Sequence, residues 1–385
     1  MQKEFHLSRA DVGRLAGEFG TPLLVMSVEQ IKQNYRYLKD HMPRVNLHYA
    51  VKANPDERIV RTLKDLGSCF DVASDGEILQ LQALGIEGAR MVYANPIKPV
   101  HGIETARRAG ILNYMVDSEP EIEKMARVLP GASILVRVRM QNPEALIDLN
   151  KKFGAEPEAV MQLMLKAREC GLDVAGLAFH VGSQTTHYGA YMNSLKVCRQ
   201  LFDEAAKNGM DLRILDIGGG FPIRAPGGAK IDVAGMLAEI TAGLDELFPQ
   251  TEIWAEPGRF ICGTAVKLIT RVIGKQHRDS QDWYFLDEGI YGTFSGVIFD
   301  HWDFEMLTFK EGPVVSAIFA GPSCDSFDVI FRDKETVALE VDDLILVPNI
   351  GSYSSASATT FNGFAKARVV VWEEVREAAQ LEAAV

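Results

Sequence analysis

Residues 47–74 read LHYAVKANPDERIVRTLKDLGSCFDVAS, and this stretch sets the pattern on which the fold is built. An apolar run at 47–51 is followed by Pro55-Asp56, after which a helix is predicted to begin. Apolar residues then recur at the spacing of one helix face, at Ile59, Leu63 and Leu66. Gly67, a residue type that commonly follows a helix, precedes a second apolar run at 69–72. The stretch therefore predicts a strand, a helix and a second strand.

The same alternation of apolar runs and amphipathic segments continues to residue 255. Eight short apolar runs are predicted as strands, at 47–51, 69–72, 91–94, 111–116, 133–138, 174–180, 213–217 and 252–255. Eight βα units over roughly 210 residues match a (β/α)8 TIM-type barrel, which typically has about 250 residues. A doubly wound open sheet is the alternative, but no GxGxxG motif follows the first strand.

The chain changes character after residue 262. Apolar runs without long intervening helices follow at 266–273, 283–286, 314–319, 344–348 and 367–372. They predict a smaller, mainly antiparallel β domain that ends in a short helix over 373–384. The predicted domains are the barrel at 22–261 and the β domain at 262–385, which residues 1–21 could join.

Composition and charge argue against several classes of protein. The 385 residues are 47% hydrophobic and 24% charged, which is typical of a globular chain with a sizeable core. The 52 acidic residues outnumber the 40 basic ones, and no basic cluster indicates a nucleic-acid partner. No apolar run is long enough for a membrane span, and no apolar stretch follows Met1–His6 as it would in a signal peptide.

Cysteine usage bears on metal binding and on compartment. The five cysteines lie far apart and form no CxxC or Cys/His cluster of the kind that binds structural zinc. We therefore expect no metal site. The odd number of cysteines, together with the missing secretory signal, favours the reducing cytoplasm.

Polar residues and a run of glycines stand at or just after the ends of the predicted strands, where a (β/α)8 barrel carries its functional groups. They are Lys52, Asp71, Arg137, His180, Asp216, Gly218, Gly219, Gly220, Glu256 and Arg259. Several also have an ordinary structural explanation. Lys52 could simply extend to solvent, and His180 could be a core histidine. Glu256 and Arg259 could form a structural ion pair.

Taken together, these residue types at one rim indicate a site for a phosphorylated carbonyl cofactor. A lysine supplies an amine that can form a Schiff base. A glycine-rich loop supplies backbone N–H groups that approach phosphate closely, and an arginine adds charge-assisted contacts. A carboxylate can pair with a pyridinium nitrogen and keep it protonated.

Seven motifs occur in the same order as in one enzyme family. They are YAVKANP at 49–55, FDVAS at 70–74, FHVGSQ at 179–184, LDIGGGFP at 215–222, EPGR at 256–259, CDSFD at 324–328 and FNGF at 361–364. On these motifs the chain resembles the fold-type III, alanine-racemase-like pyridoxal-phosphate decarboxylases over nearly its whole length. Within that group it is most similar to ornithine decarboxylases and bifunctional lysine/ornithine decarboxylases.

The resemblance implies pyridoxal 5′-phosphate as the cofactor and assigns residues to it. Lys52 would form the Schiff base, His180 would stack on the pyridine ring, and Glu256 would bind the ring nitrogen. Asp71 and Arg137 would support the site from nearby. The residues that would hold the phosphate are Ser183, Gly218, Gly219, Gly220, Arg259 and Tyr353.

The resemblance also implies an obligate homodimer with shared active sites, in which Cys324 and Asp325 reach the site of the neighbouring subunit. Lys152 and Asp328 match positions that pair across that interface in relatives. Cys324 would be catalytic, giving a proton to the substrate carbon after carbon dioxide leaves. A buried, inert cysteine is the ordinary alternative, and the loop position beside Pro322 favours the catalytic one.

Substrate binding is expected from Asp300, Asp325 and Tyr291, with the two carboxylates available for a terminal ammonium group. A loop aspartate is usually a turn residue, so this expectation depends on the resemblance. The predicted reactions are L-ornithine to putrescine and L-lysine to cadaverine, as in polyamine biosynthesis. The two substrates differ by one methylene, worth only about 1–3 kcal/mol in a pocket, so their order stays open. Diaminopimelate or arginine decarboxylation, and amino-acid racemisation on the same scaffold, are the alternatives.

Overall fold

The computed structural model describes residues 4–140, 142, 152–224 and 231–383. Contacts among these residues divide the chain into two compact units. The barrel unit is drawn from Tyr35–Ile223 and Lys230–Phe260, and the β unit from Met1–Asn34, Arg224–Ala229 and Ile261–Val385. Within the described ranges, no helix is both long enough and apolar enough to cross a membrane.

The strands and helices of the described residues are numbered in chain order. The strands are β1 Leu23–Met26, β2 Val45–Ala50, β3 Cys69–Val72, β4 Met91–Tyr93, β5 Asn113–Val116, β6 Ser133–Val138, β7 Asp173–Phe179, β8 Ile214–Asp216, β9 Glu252–Ala255, β10 Val266–Arg278, β11 Gln281–Leu286, β12 Leu307–Thr308, β13 Val314–Ala320, β14 Val329–Val337, β15 Leu344–Val347 and β16 Arg368–Val371. The helices are α1 Arg9–Phe19, α2 Val28–His41, α3 Glu57–Asp65, α4 Asp75–Ala83, α5 Val100–Ala109, α6 Glu119–Val128, α7 Pro157–Glu169, α8 Tyr188–Lys207, α9 Val233–Leu247, α10 Arg259–Cys262, α11 Gly296–Phe299 and α12 Trp372–Ala383.

The barrel unit contains the predicted (β/α)8 barrel, which is confirmed. Strands β2 to β9 close a ring in which each strand runs parallel to the next and β9 pairs with β2. A cluster of buried side chains comes from the strands and their ends: Val92, Ala94, Met115, Leu135, Ala175, Ala178, Ile214 and Trp254. Because neighbouring strands are parallel, the carboxyl ends of all eight strands meet at one rim.

Short polar caps begin the helices that follow the first barrel strands. Asp56 accepts a hydrogen bond from the Arg58 N–H at the start of α3, and Ser74 accepts one from the Glu77 N–H at the start of α4. The helix α5 ends at Gly110, which adopts a left-handed conformation at φ 80°. The caps fix where α3 and α4 begin, so the loops that follow β2 and β3 are short.

The β unit contains a mainly antiparallel sheet, as predicted, and the sheet has eight strands. Six strands follow the order β12-β15-β10-β11-β13-β14, and β1 and β16 attach alongside β10. Two pairs are parallel, β1 with β16 and β11 with β13. A buried cluster from α1, its N-terminal approach, the sheet and the start of α12 includes Leu7, Leu15, Leu23, Val25, Ile269, Leu346 and Trp372.

Three strands of this sheet, β1, β12 and β14, were not predicted from the sequence. Leu23–Met26 is buried at all four positions and pairs with β10 and β16, although residues 22–261 were predicted as the barrel domain. A short apolar run does not reveal which sheet it joins. Val329–Val337 lies at one end of the strand order and carries Arg332, Asp333 and Lys334 on exposed or half-buried positions. Charged residues on an edge strand hinder its pairing with other chains. They also interrupt the apolar run by which a strand is recognised in a sequence.

Candidate active site

Lys52 and Asp71 form an ion pair at the rim of the barrel. Lys52 lies in the 3₁₀ turn Val51–Ala53 that follows β2, and β2 pairs with β3 so that Ala50 lies beside Asp71. The Lys52 Nζ donates to the Asp71 Oδ2 at 2.7 Å. The Asp71 side chain is 1% exposed, whereas that of Lys52 is 46% exposed. The amine is therefore held by a buried anion, although nearly half of the Lys52 side chain is exposed.

Strand register brings Arg137 and Asp216 into one layer of the barrel. Arg137 in β6 lies beside Ala178 in β7, which lies beside Asp216 in β8. Burial lowers the pKa of the Arg137 guanidinium, while Glu256, Asp117 and Asp71 act in the opposite direction. The Arg137 guanidinium therefore has several carboxylates as neighbours at this rim, and each of them favours its charged form.

Glu256 follows β9 and is 9% exposed. Its Oε1 atom is buried and accepts no hydrogen bond from the described residues. Burial raises the pKa of Glu256 well above its ordinary value, and the nearby Asp216 and Asp71 carboxylates raise it further. A buried acceptor without a donor is costly, so this oxygen is suited to a ligand that brings an N–H group.

His180 follows β7 as a neutral imidazole. Burial lowers the pKa of His180 well below its ordinary value, and the positive charges of Arg137 and Lys52 lower it further. The Gly182 N–H donates to the His180 Nδ1 at 2.9 Å. This contact makes Nδ1 an acceptor and fixes the orientation of the ring.

The glycine-rich loop after β8 has no room for side chains. Gly218 has φ 66° and Gly220 has φ 103°, and both values disfavour residues with a Cβ atom. A Cβ on Gly220 would lie 2.3 Å from the Gly182 carbonyl oxygen. A Cβ on Gly219 would lie 2.6 Å from the Glu256 carbonyl oxygen and 3.2 Å from the His180 Nε2. The loop therefore packs directly between the loops that carry His180 and Glu256.

Replacing Gly220 by alanine is expected to lower the free energy of unfolding by about 1–3 kcal/mol, because the new methyl group must displace the loop from Gly182. Affinity for a phosphate-bearing cofactor should fall as well, since the loop N–H groups move. Chemical denaturation and cofactor titration measure both effects. The matched control is Gly189→Ala in α8, where a Cβ meets no atom within 4 Å. Equal stability of the two variants would contradict the packing argument.

Three further phosphate residues were predicted from the resemblance. Arg259 begins α10 and is 5% exposed. Ser183 is half-buried in the loop after β7, next to Gly182. Tyr353 belongs to the β unit, where it has φ 51°, and a Cβ on Gly296 would lie 3.5 Å from its carbonyl oxygen. The barrel unit thus holds the predicted cofactor residues other than Tyr353.

A second group of predicted residues lies together in the β unit. The Tyr291 hydroxyl donates a hydrogen bond to the Asp325 Oδ2. The Phe327 N–H donates to the Asp325 Oδ1 at 3.0 Å, and these two bonds lower the pKa of Asp325. The Tyr291 ring stacks on Phe361 with centroids 4.2 Å apart. Asp325 is therefore a fixed anion on a loop that aromatic contacts support.

Cys324 is exposed and is held by a residue that sequence reasoning did not single out. Its backbone N–H and its thiol both donate to the Asn362 Oδ1, at 3.2 and 3.3 Å. Asn362 has φ 54°, a left-handed conformation that asparagine tolerates better than most residues. The only sequence signal for this contact was the FNGF motif at 361–364.

Asp300 and Asp328 are both buried in the β unit. Asp300 is 8% exposed and follows α11, with its N–H donating to the Gly296 carbonyl. Asp328 is 2% exposed, and its two oxygens accept the N–H groups of Ile290 and Ser323. Asp328 thus has an internal role in joining two loops, while its pairing with Lys152 stays a prediction. Among the described residues, no three His, Cys, Asp or Glu side chains come together as a metal site.

Comparison with known proteins identifies the family. A family model described as pyridoxal-dependent decarboxylase, pyridoxal binding domain, matches residues 28–263. The lysine/ornithine decarboxylase of Selenomonas ruminantium is 46% identical over 375 residues, which cover 97% of this chain and 95% of the relative.

Solved structures agree with this match in fold and coverage. The complex of SrLDC with PLP and cadaverine is 45% identical, with 99% of this chain and 98% of that chain covered and a TM-score of 0.94. The lysine/ornithine decarboxylase of Vibrio vulnificus, solved with putrescine, is 36% identical, with 96% and 100% covered and a TM-score of 0.89. The chain therefore belongs to the pyridoxal-dependent decarboxylases of fold type III, the family that its seven motifs resemble.

Proposed function

We propose that this decarboxylase acts on L-ornithine and L-lysine and releases putrescine and cadaverine. The observation that carries the substrate class is Asp325, whose hydrogen bonds from Tyr291 and Phe327 keep its pKa low and its carboxylate charged. A fixed anion suits the terminal ammonium group of a basic amino acid. The relatives named lysine/ornithine decarboxylase, one of them solved with putrescine, support this choice.

The residues of the barrel unit fit pyridoxal phosphate. The buried Glu256 Oε1 has no donor among the described residues, and the ring nitrogen would provide one. The Gly218–Gly220 loop, where a Cβ would clash with neighbouring backbone, has no side chains that could cover its N–H groups. When bound, the cofactor accepts the electrons released as carbon dioxide leaves the substrate. Ser183, Arg259 and Tyr353 are proposed to hold the phosphate together with that loop.

The proposed roles of the chain's own groups follow from their charge and contacts. Lys52 supplies the amine that binds the cofactor aldehyde, and Asp71 holds this amine in place through the 2.7 Å contact. Glu256 would accept a hydrogen bond from the protonated ring nitrogen and keep the proton on that nitrogen. His180, being neutral, offers a flat ring face to the cofactor without adding a positive charge that would compete with the nitrogen.

Protonation and substrate recognition are proposed for the β unit. Cys324 holds the proton that the substrate carbon receives, and the Asn362 amide oxygen orients its thiol. Asp325 and Tyr291 bind the terminal ammonium group, and Asp300 is the second candidate carboxylate for it.

We also propose a homodimer in which Cys324 and Asp325 complete the partner's site. Large apolar side chains lie exposed near these residues: Phe327 is 61% exposed, Phe364 46% and Phe361 40%. Exposed aromatic groups that cluster around functional loops are typical of an interface. Analytical ultracentrifugation measures the mass in solution, and a monomer that is fully active would exclude shared sites.

The substrate proposal is tested by carbon dioxide release from the purified protein with pyridoxal phosphate. L-Ornithine, L-lysine, L-arginine and meso-diaminopimelate are compared at matched concentrations, and we expect release from ornithine and lysine. Asp325→Asn should lower kcat/KM for both by about 10–100-fold, because the amide carries no charge to pair with the ammonium group. Asp333→Asn, on the exposed strand β14, is the matched control.

Other outcomes of this experiment would overturn the substrate assignment. Release from diaminopimelate alone would mean that Asp325 does not bind a cation, since that substrate carries a second carboxylate. Release from arginine alone would place a guanidinium in the site. No release with the cofactor bound would favour a racemase, which exchange of the substrate α-hydrogen would reveal.

A further inference from the structure

Asp216 and Glu256 form a pair of buried carboxyl groups at the ends of β8 and β9. Asp216 is 0% exposed, and its Oδ1 accepts the Gly218 N–H at 2.8 Å. The remaining oxygens, Asp216 Oδ2 and Glu256 Oε1, are buried, and neither accepts a hydrogen bond from a donor group of the described residues. Gly218 also accepts the Glu256 N–H on its carbonyl oxygen at 2.7 Å, so the same residue is bonded to both neighbours. A hydrogen bond between the two buried oxygens would give each a partner, and it requires one of the carboxyl groups to carry a proton as donor.

The charges around the pair also indicate that it holds one proton. Two cations, Lys52 and Arg137, face three carboxylates, which are Asp71, Asp216 and Glu256. One proton on the pair brings this group to neutrality. His180 is neutral and adds no charge. Asp117 faces Arg137 and accepts the Gly154 N–H, and Glu77 faces Asp71 and Lys52, so these further carboxyl groups also favour a proton on the pair. Burial, opposed by the Gly218 N–H, raises the pKa of Asp216 to about 7.

We propose that Asp216 is a positioning residue that shares one proton with Glu256 in the cofactor-free protein and so couples cofactor binding to proton release. The proton leaves the pair when the cofactor's ring nitrogen docks on Glu256. It moves to that nitrogen if the nitrogen is unprotonated, and to solvent if the nitrogen already carries a proton. No bond other than the O–H bond breaks, and no electron is transferred. This inference rests on the proposed role of Glu256.

The sign of the pH dependence follows from the direction of proton transfer. When the ring nitrogen already carries a proton, binding releases the pair's proton to solvent, so acid opposes binding and affinity rises with pH until the pair is ionised. When the nitrogen is unprotonated, the proton stays in the complex and the pair adds no pH dependence. As long as the pair holds its proton, it should contribute up to about tenfold in affinity per pH unit. Once the pair is ionised, this contribution should disappear. Other titrating groups, including the cofactor's own phosphate, add dependences that are common to the protein and its variants.

The test compares the wild-type chain with Asp216→Asn by calorimetric titration of the cofactor-free proteins with pyridoxal phosphate at pH 6, 7 and 8. Buffers of different ionisation enthalpy give the number of protons exchanged. Asparagine still accepts the Gly218 N–H and can donate to Glu256, but it carries no titrating proton. At pH 6 the wild type should release about one more proton per site than the variant. Equal proton counts and equal pH slopes would overturn the proposal.

A second measurement needs only the wild-type chain and covers a variant that fails to fold. The infrared spectrum of the cofactor-free protein at pH 6 should contain a protonated carboxyl band that disappears when pyridoxal phosphate binds. Absence of that change would overturn the shared proton. Neither measurement contains an amino-acid substrate. Failure here with intact ornithine decarboxylation would reject the pair alone, whereas failure of decarboxylation with normal proton release would reject the proposed function.

Discussion

Lys52→Ala is expected to lower decarboxylase turnover by at least ~10⁴-fold, because the substitution removes the amine that binds the cofactor aldehyde. The visible absorption of the covalently held cofactor should be lost in the same variant. The position of Lys52 supports this expectation, since its amine is bound by the buried Asp71 at 2.7 Å while its side chain is 46% exposed. The two measurements are steady-state carbon dioxide release and the absorption spectrum.

A matched variant distinguishes the loss of the reactive amine from the loss of its positive charge. Lys52→Arg keeps a cation beside Asp71, so the free energy of unfolding should fall less than in Lys52→Ala. The guanidinium is not a nucleophile at working pH, so turnover and absorption should be lost as fully as in the alanine variant. Substantial turnover in either variant would remove Lys52 from its proposed role.

The barrel could be predicted from the sequence because its signals are local. Each strand is a short apolar run, and polar caps such as Asp56 and Ser74 separate it from a helix of recognisable period. The sheet of the β unit was harder to predict. Its strand Leu23–Met26 pairs with segments more than 200 residues away, and a local pattern contains no information about such partners.

Much of the candidate site could also be predicted, because a parallel barrel places strand ends at one rim. Lys52, Asp71, His180 and Glu256 were named from that rule and from the family motifs. Asp216 was named as a strand-end residue but received no role. Its link to Glu256 depends on two strand registers and on a proton, and neither is visible in a linear sequence.

The contact between Cys324 and Asn362 could not be predicted from the sequence either. The two residues are 38 positions apart, and Asn362, which accepts the hydrogen bond, adopts a left-handed conformation beside Gly363. Motif order places both loops in the same family but does not predict which side chains meet. The hydrogen bond to the Asn362 amide oxygen holds the thiol proton of Cys324 in a defined direction.

Cys324→Ala is therefore expected to lower diamine formation by ~10²–10⁴-fold, the usual contribution of a positioned proton donor. Bound cofactor should be unchanged, because Cys324 belongs to the β unit and the proposed cofactor residues lie mainly in the barrel unit. Misplaced protonation should also convert part of the cofactor to its amine form, which chromatography of the reaction products would detect. The control is Cys170→Ala, a half-buried cysteine at the end of α7. A normal diamine yield from Cys324→Ala would exclude this thiol as the proton donor.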